Sequence, residues 1–237
     1  MSGHSKWSTI KHKKGAKDAK RGKAFSKIGR MIALAAQEGG GNPEINFKLR
    51  LAIEKARQVN MAQSTIKKAI DRATGENKEQ IKETTYEATG PSSLAIIIKT
   101  ATDNKNRTLA EIKHILSKNK ARLVESGSLS WQFEQKGILD LGTVKLSEDQ
   151  ELDIIESGAQ DIQKVSGSLL VYTKYQDLQK VKEALDQAKI KIESAELGFI
   201  PKNPIKPESS KVGALLSALE EHEDVQEIYT NLDVLTL

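Results

Sequence analysis

The chain has 237 residues, 38% hydrophobic and only 4% aromatic, with 37 Lys and Arg against 32 Asp and Glu; that length suits two or three domains with small aliphatic cores. Cysteine is absent, which excludes disulfides, thiolate zinc sites and cysteine nucleophiles. No apolar run reaches the roughly 18 residues that a bilayer span requires.

Charge is divided along the sequence. Residues 1–30 hold ten Lys or Arg and a single acid, Asp18. Residues 1–78 carry 18 basic and 6 acidic side chains, a net of +12, and the other 159 carry 19 and 26, a net of −7. Like charges gathered at one end repel one another, so the pattern asks for a polyanionic partner. Nucleic acid meets that demand, because Lys and Arg release the counterions condensed on its phosphates. The start has charge but no apolar stretch behind it, unlike a secretory signal. Patterned positions begin at Gly3, which leaves no room for a removable presequence, so a cytoplasmic protein without a membrane partner is expected.

Between Gly3 and Gly15 lie Lys6, Lys11, Lys13 and Lys14 with His4 and His12. This stretch cannot bury enough surface to fold alone and should order on a partner. Trp7 has two uses: an anchor on the protein's own core, or a stacking surface for a base. From about Ala16 to Gln37 the spacing predicts a helix, with Phe25, Ile28, Ile32 and Ala35 on one face. Lys20, Lys23, Lys27 and Arg30 repeat at the same spacing roughly 140° around it, and Lys17 and Arg21 add to the charge. The stripe has no acids four residues on to offset it, which favours phosphate binding over a plain solvated face.

Gly39, Gly40 and Gly41 predict a flexible turn, and Asn42-Pro43 a cap with a first-turn proline. No Gly-Lys-Ser/Thr follows these glycines, so they are not a phosphate loop. A second helix is expected over Asn46–Val59, with Leu49, Ile53 and Ala56 inward. Asn60 breaks it, and a third helix runs over Ala62–Ala73 to Gly75 as a left-handed cap. The pair resembles a helix-turn-helix: Ala56 is small, Asn60 tolerates the left-handed turn, and Met61 and Ile66 are apolar. Gln63, Ser64, Lys67 and Lys68 would then meet base edges and phosphates, although short helical hairpins of this pattern also occur without that role.

Beyond Gln80 the periodicity changes. Strands are expected over 84–88 and 93–101 around a Gly90-Pro91 turn. Asp103-Asn104-Lys105-Asn106-Arg107-Thr108 leads into a helix ending near Lys118. The Asp and Asn side chains suit capping, and capping outweighs a phosphate role for Arg107. Leu129, Trp131 and Phe133 alternate as a half-buried strand. Strands near Gly137–Leu141, Asp161–Val165, Ser168–Tyr175 and Ile192–Phe199, with helices near Ser147–Ser157 and Gln176–Lys189, spell the ferredoxin-like order. Pro201, Pro204 and Pro207 mark a linker, followed by a helix over Ser209–His222 and a strand over Val225–Asn231.

These elements predict an α+β multidomain protein: a three-helix N-terminal domain (1–78) and two ferredoxin-like α+β domains, one inserted in the other. The outer one is discontinuous, 79–134 with 205–237, and the inserted one spans 135–204. His4, His12, His114 and His222 are too scattered for a local metal site, and nucleophile elbows, Walker loops and dinucleotide fingerprints are missing. Neither an enzyme nor a cofactor is expected. Glu220, Glu221, Glu223 and Asp224 could draw a cation but suit a solvated helix end.

The set Gly3-His4-Ser5-Lys6-Trp7, Asp18-Ala19-Lys20-Arg21-Gly22-Lys23, Gly39-Gly40-Gly41, Leu49-Arg50-Leu51-Ala52-Ile53, Asn60-Met61 and Asp103–Thr108 resembles the YebC family along nearly the whole chain. The resemblance implies a helical domain followed by two α+β domains. It also implies a regulator of gene expression, described for the family as a DNA-binding transcriptional regulator and, for related members, as a translation factor on the ribosome acting at proline-rich stretches. The chain departs from the family's glycine-rich pattern at Gly90-Pro91-Ser92-Ser93 and Asn119-Lys120-Ala121-Arg122. The expected partner is therefore nucleic acid, either DNA or ribosomal RNA. A scaffold that takes protein partners through its acidic domains is the alternative from another class.

Overall fold

The computed structural model describes residues 17–75, 80–143, 145–165, 167–206 and 210–233. The expected binding residues Lys6, Trp7, Lys11, His12, Lys13 and Lys14 lie outside these. Three helices come first, α1 (Lys17–Gly39), α2 (Phe47–Gln58) and α3 (Gln63–Thr74), and α1 packs against both others. Their shared core contains Ile28, Ile32, Leu49, Ile53, Ala56 and Ile66, each on the face its helical spacing predicts.

The turn after α1 is built rather than loose. Asn46, not Asn42, caps α2: its side chain accepts from the Leu49 N–H at 3.0 Å and donates to the carbonyls of Ala35 and Gly40 at 2.8 Å each. A Cβ on Gly39 would lie 2.6 Å from the Asn46 side chain, so glycine is required by close approach. Asn60 takes the left-handed conformation, φ 59°. Gly75 does not; it sits at φ −72°, ψ 174°, so α3 ends by extending.

The first sheet comprises β1 (Lys82–Thr89), β2 (Ala95–Thr102), β3 (Arg122–Val124) and β8 (Val225–Thr230), in the order β3-β1-β2-β8. Helices α4 (Lys105–Lys118) and α7 (Ser210–Glu220) cover one face, burying Ile96, Ile98, Ile112, Leu116, Leu215 and Leu219. Each contributes roughly 1.5–3 kcal/mol relative to exposure. The third strand of this sheet is Arg122–Val124, not the predicted 129–133. Leu129–Phe133 instead contains a 3-10 turn, Ser130–Gln132, that leads into the next strand.

The inserted sheet comprises β4 (Phe133–Asp140), β5 (Asp161–Val165), β6 (Ser168–Lys174) and β7 (Ser194–Pro201), ordered β5-β6-β4-β7, with helices α5 (Glu148–Glu156) and α6 (Leu178–Gln187). That is the ferredoxin-like arrangement. The chain enters it at Phe133 and leaves at Pro201, which are paired neighbours, so the insertion needs a single attachment point. The back of the first sheet packs on the inserted sheet through Ala95, Ile97, Phe133 and Tyr229. The Phe199 and Tyr229 rings meet edge-on at 5.2 Å.

Candidate nucleic-acid interface

The basic face of α1 splits in two. Lys23 is exposed and makes no ion pair among the described residues, and the side chains of Lys17, Lys20 and Arg21 lie outside the described ones. Lys27 and Arg30 turn inward. The Lys27 Nζ donates to the Glu220 carbonyl at 2.5 Å, and Arg30 meets the Asp224 carboxylate at 2.6 Å. Glu220 ends α7, where unpaired carbonyls give a helix terminus partial negative charge. Burial dominates the titration of Lys27 nonetheless. It lowers the pKa to about 8 against the pull of Glu220, and the charges of Lys23 and Arg30 act with it. Two of the residues expected to hold phosphates therefore hold the helical unit to the body.

Asp224 is the hub of that joint and is 2% exposed. Its oxygens accept from Thr108 at 2.6 Å, from Thr102 and Arg107 at 3.1 Å each, and from Arg30. Burial alone would raise its pKa, but the hydrogen bonds from Thr108 and Arg107 and the charge of Arg30 outweigh it and hold the pKa below the usual value. The expected solvated acidic run is thus corrected at this position: Glu221 and Glu223 are exposed, but Asp224 is a buried counter-ion. The Asp103–Thr108 segment serves the same joint. Asn104 caps α4 by accepting from the Arg107 N–H at 3.1 Å, while the Arg107 guanidinium bridges Asp103 and Asp224.

Glu111, His222 and Asp224 are close enough together to suggest a cation site. The atoms are already committed: His222 Nδ1 accepts from the Asp224 N–H at 3.1 Å, and Nε2 meets Glu111 at 2.8 Å. With Nδ1 as acceptor, the hydrogen belongs on Nε2 and points at the carboxylate.

On α3 the structure exposes all four expected contact residues, Gln63, Ser64, Lys67 and Lys68. The cations of the helical unit separate by role. Lys27, Arg30, Lys48, Arg50 and Lys55 are engaged by Glu220, Asp224, Glu38, Glu183 and Glu196. Lys23, Arg57, Lys67, Lys68 and Arg72 are exposed and make no ion pair among the described residues. A cavity of about 160 Å³ lies where the three units meet, and its lysines are all paired, including Lys99 with Glu227 at 3.4 Å. Burial raises the pKa of Glu196 on its wall. Compensated charge of this kind does not attract a polyanion.

Sequence reasoning missed Asp224 and the Glu220 carbonyl as partners of α1, and Thr102 and Thr108 as the hydroxyls that support Asp224. No local signal could have found them, because they come from strands and helices far along the chain.

A three-helix unit followed by two antiparallel α+β units, one inserted in the other, defines an α+β multidomain protein whose helical unit carries exposed cations on α1, α2 and α3. No described helix is long and apolar enough to cross a membrane. The chain belongs to the TACO1/YebC family: the model of the TACO1/YebC N-terminal domain matches residues 5–76, and that of the second and third domains matches 81–232. It is 45% identical to a protein of Halothermothrix orenii named "Probable transcriptional regulatory protein", over 99% of this chain and 96% of that one. A protein of the same name from Dictyoglomus turgidum is 46% identical over the same shares. The crystal structure of the conserved hypothetical protein Aq1575 from Aquifex aeolicus matches 94% of this chain and 95% of that chain, with a TM-score of 0.85 at 40% identity.

Proposed function

We propose that the chain is a nucleic-acid-binding regulator of gene expression, with DNA as its leading target. The observation that carries this is the separation of cations on the helical unit: those facing the body are engaged, Lys27 by the Glu220 carbonyl and the others by carboxylates, and Lys23, Arg57, Lys67, Lys68 and Arg72 make no ion pair among the described residues. Unpaired surface lysines of one sign are what counterion release rewards. The α2–α3 hairpin, turning at a left-handed Asn60, presents Gln63, Ser64, Lys67 and Lys68 as a recognition helix would. The names of the relatives support a role in transcription. The same charge would hold structured RNA, including that of a ribosome. The division into 1–78, 79–134 with 205–237, and 135–204 is part of this proposal and is supported by the pairing of Phe133 with Pro201.

The test measures duplex DNA binding and co-sedimentation with ribosomes in one salt series. Duplex binding that is stronger for particular sequences supports a DNA regulator. Tight ribosome association with only weak, sequence-blind duplex binding replaces DNA by the ribosome. Indifference to both at low salt removes the reading.

A further inference from the structure

Trp131 is 64% exposed, the most exposed aromatic side chain among the described residues. Its neighbours at 129 and 133 go inward: Phe133 is buried, and Leu129 packs on the same cluster. The 3-10 turn at Ser130–Gln132 breaks the expected alternation and rotates the indole out.

The loop that presents the ring is held from within. Glu87, 4% exposed, accepts from the backbone N–H groups of Gly127 at 2.8 Å, Leu129 at 2.6 Å and Ser130 at 3.2 Å. Gly127 supplies the positive φ of 89° that the turn needs. The indole N–H donates to the Ser128 carbonyl at 2.8 Å. The polar edge is thus satisfied inside the loop, and what remains on offer is the flat π-face. A rigid display of this kind loses little freedom when it is covered.

The surroundings choose the occupant. Gly127, Ser128, Ser130 and Gln132, its neighbours in the chain, are small or polar, unlike the apolar core of a protein interface. A nucleobase needs only the π-face. Lys202, exposed and joined through its N–H to the Gln132 carbonyl at 2.8 Å, puts a cation on this rim. The nearby Glu134 carboxylate lies 3.5 Å from the Lys136 ammonium and is therefore compensated.

We propose that Trp131 is a stacking platform for an unpaired nucleobase, with Lys202 contacting an adjoining phosphate. This rests on the nucleic-acid reading and adds a contact on the α+β body, apart from the helical unit.

The experiment uses the full chain with Trp7→Phe, so that Trp131 is the sole fluorophore of its type. Mixed-sequence 12-nucleotide RNA and DNA single strands and a hairpin duplex are titrated in. The single strands should quench the emission, and the duplex should quench it much less. RNA and DNA arms of equal strength identify the base as the recognised element; a stronger RNA arm adds a 2′-hydroxyl contact. Trp131→Ala should weaken single-strand binding roughly 5- to 100-fold, the range for losing one stacked base, with Trp131→Phe restoring part of it. The ring is exposed, so both variants should keep the wild-type circular dichroism. If single strands bind while Trp131 stays silent and Trp131→Ala binds as wild type, the platform is overturned and the nucleic-acid reading stands. If the chain with Trp7 intact binds no strand at low salt, both fall. An emission that shifts to the blue on raising protein concentration alone places a second copy on the ring, and that also overturns the proposal.

Discussion

Arg30 and Asp224 lie 194 positions apart in the chain and 2.6 Å apart in space. With the Lys27–Glu220 contact, this pair docks the helical unit onto the outer α+β unit. The positive face of α1 therefore has an inner part that fixes domain geometry and an outer part free for a ligand. A carboxylate shared by two guanidiniums and two hydroxyls is hard to replace, because each donor loses its partner when the charge is removed.

Asp224→Asn should destabilise the protein by about 2 kcal/mol. Losing one member of a buried ion pair costs roughly 3–5 kcal/mol, and the figure is reduced here because Arg30 and Arg107 are 26% and 44% exposed and water screens them. The folded-state pKa of Asp224 is below its ordinary 3.8. Its stabilisation is therefore complete above that value and is lost as pH falls through the lower folded value. Urea unfolding should show an acid-side loss in the wild type that the Asn variant lacks. Equal midpoints for the two proteins at neutral pH would contradict the hub role.

Salt dependence separates the two parts of the basic surface. Replacing Lys23, Lys67 and Lys68 with Ala should flatten the plot of log affinity against log salt by up to about one unit for each phosphate no longer held, with the urea midpoint unchanged. Lys27→Ala and Arg30→Ala should do the reverse, lowering the midpoint and sparing the slope. Should Lys27 and Arg30 dominate the slope instead, the outward cations are not the interface.

Lys27 gives a pH signature of the same sign as that of Asp224, displaced to the alkaline side. Its folded pKa of about 8 lies below its ordinary 10.5. Below pH 8 the proton is held in folded and unfolded chains alike, and the contribution is constant. Between those two values the folded chain has lost a proton that the unfolded chain keeps, so this side chain's contribution to stability rises with pH, then levels off. The rise is bounded by roughly 3 kcal/mol, less for a partly solvated group. Unfolding free energies of wild type and Lys27→Met at pH 7, 9 and 10.5 should diverge in favour of the wild type. A gap that does not move with pH means the ammonium is not desolvated.

Much of this architecture was legible in the residues because its signals are local. The apolar period in α1, α2 and α3, the Asn60 break and the strand-helix alternation of the inserted sheet each reside within a dozen neighbours. What was not legible depends on distance or on competition. The strand Arg122–Val124 is too short to display alternation. The 129–133 stretch does alternate, but Glu87, from a different strand, gathers its N–H groups into a turn. The stripe of α1 was visible as a stripe, but its division was not, because the partners that take Lys27 and Arg30 come from the far end of the chain.

The Gly90–Ser93 and Asn119–Arg122 segments hold strained backbone, and this gives the last prediction. Ser92, Ser93 and Lys120 have φ of 55°, 60° and 58°, a region where a side chain's Cβ crowds the following carbonyl at roughly 1–2 kcal/mol. Lys120 follows the end of α4: its N–H reaches the Ser117 carbonyl at 3.2 Å, and Ala121 closes onto Leu116 at 2.9 Å. Glycine is the usual occupant of such a helix-closing position. Lys120→Gly relieves the crowding but gives the unfolded chain more freedom, which takes back roughly 0.4–1 kcal/mol. The net expectation is a gain of about 0.5 kcal/mol. Lys120→Ala keeps the Cβ and should not share the gain, and Ser92→Gly should behave like Lys120→Gly. Chemical denaturation of the three variants decides the matter, since equal gains from Ala and Gly at 120 would trace the effect to the lost lysine charge and not to the backbone.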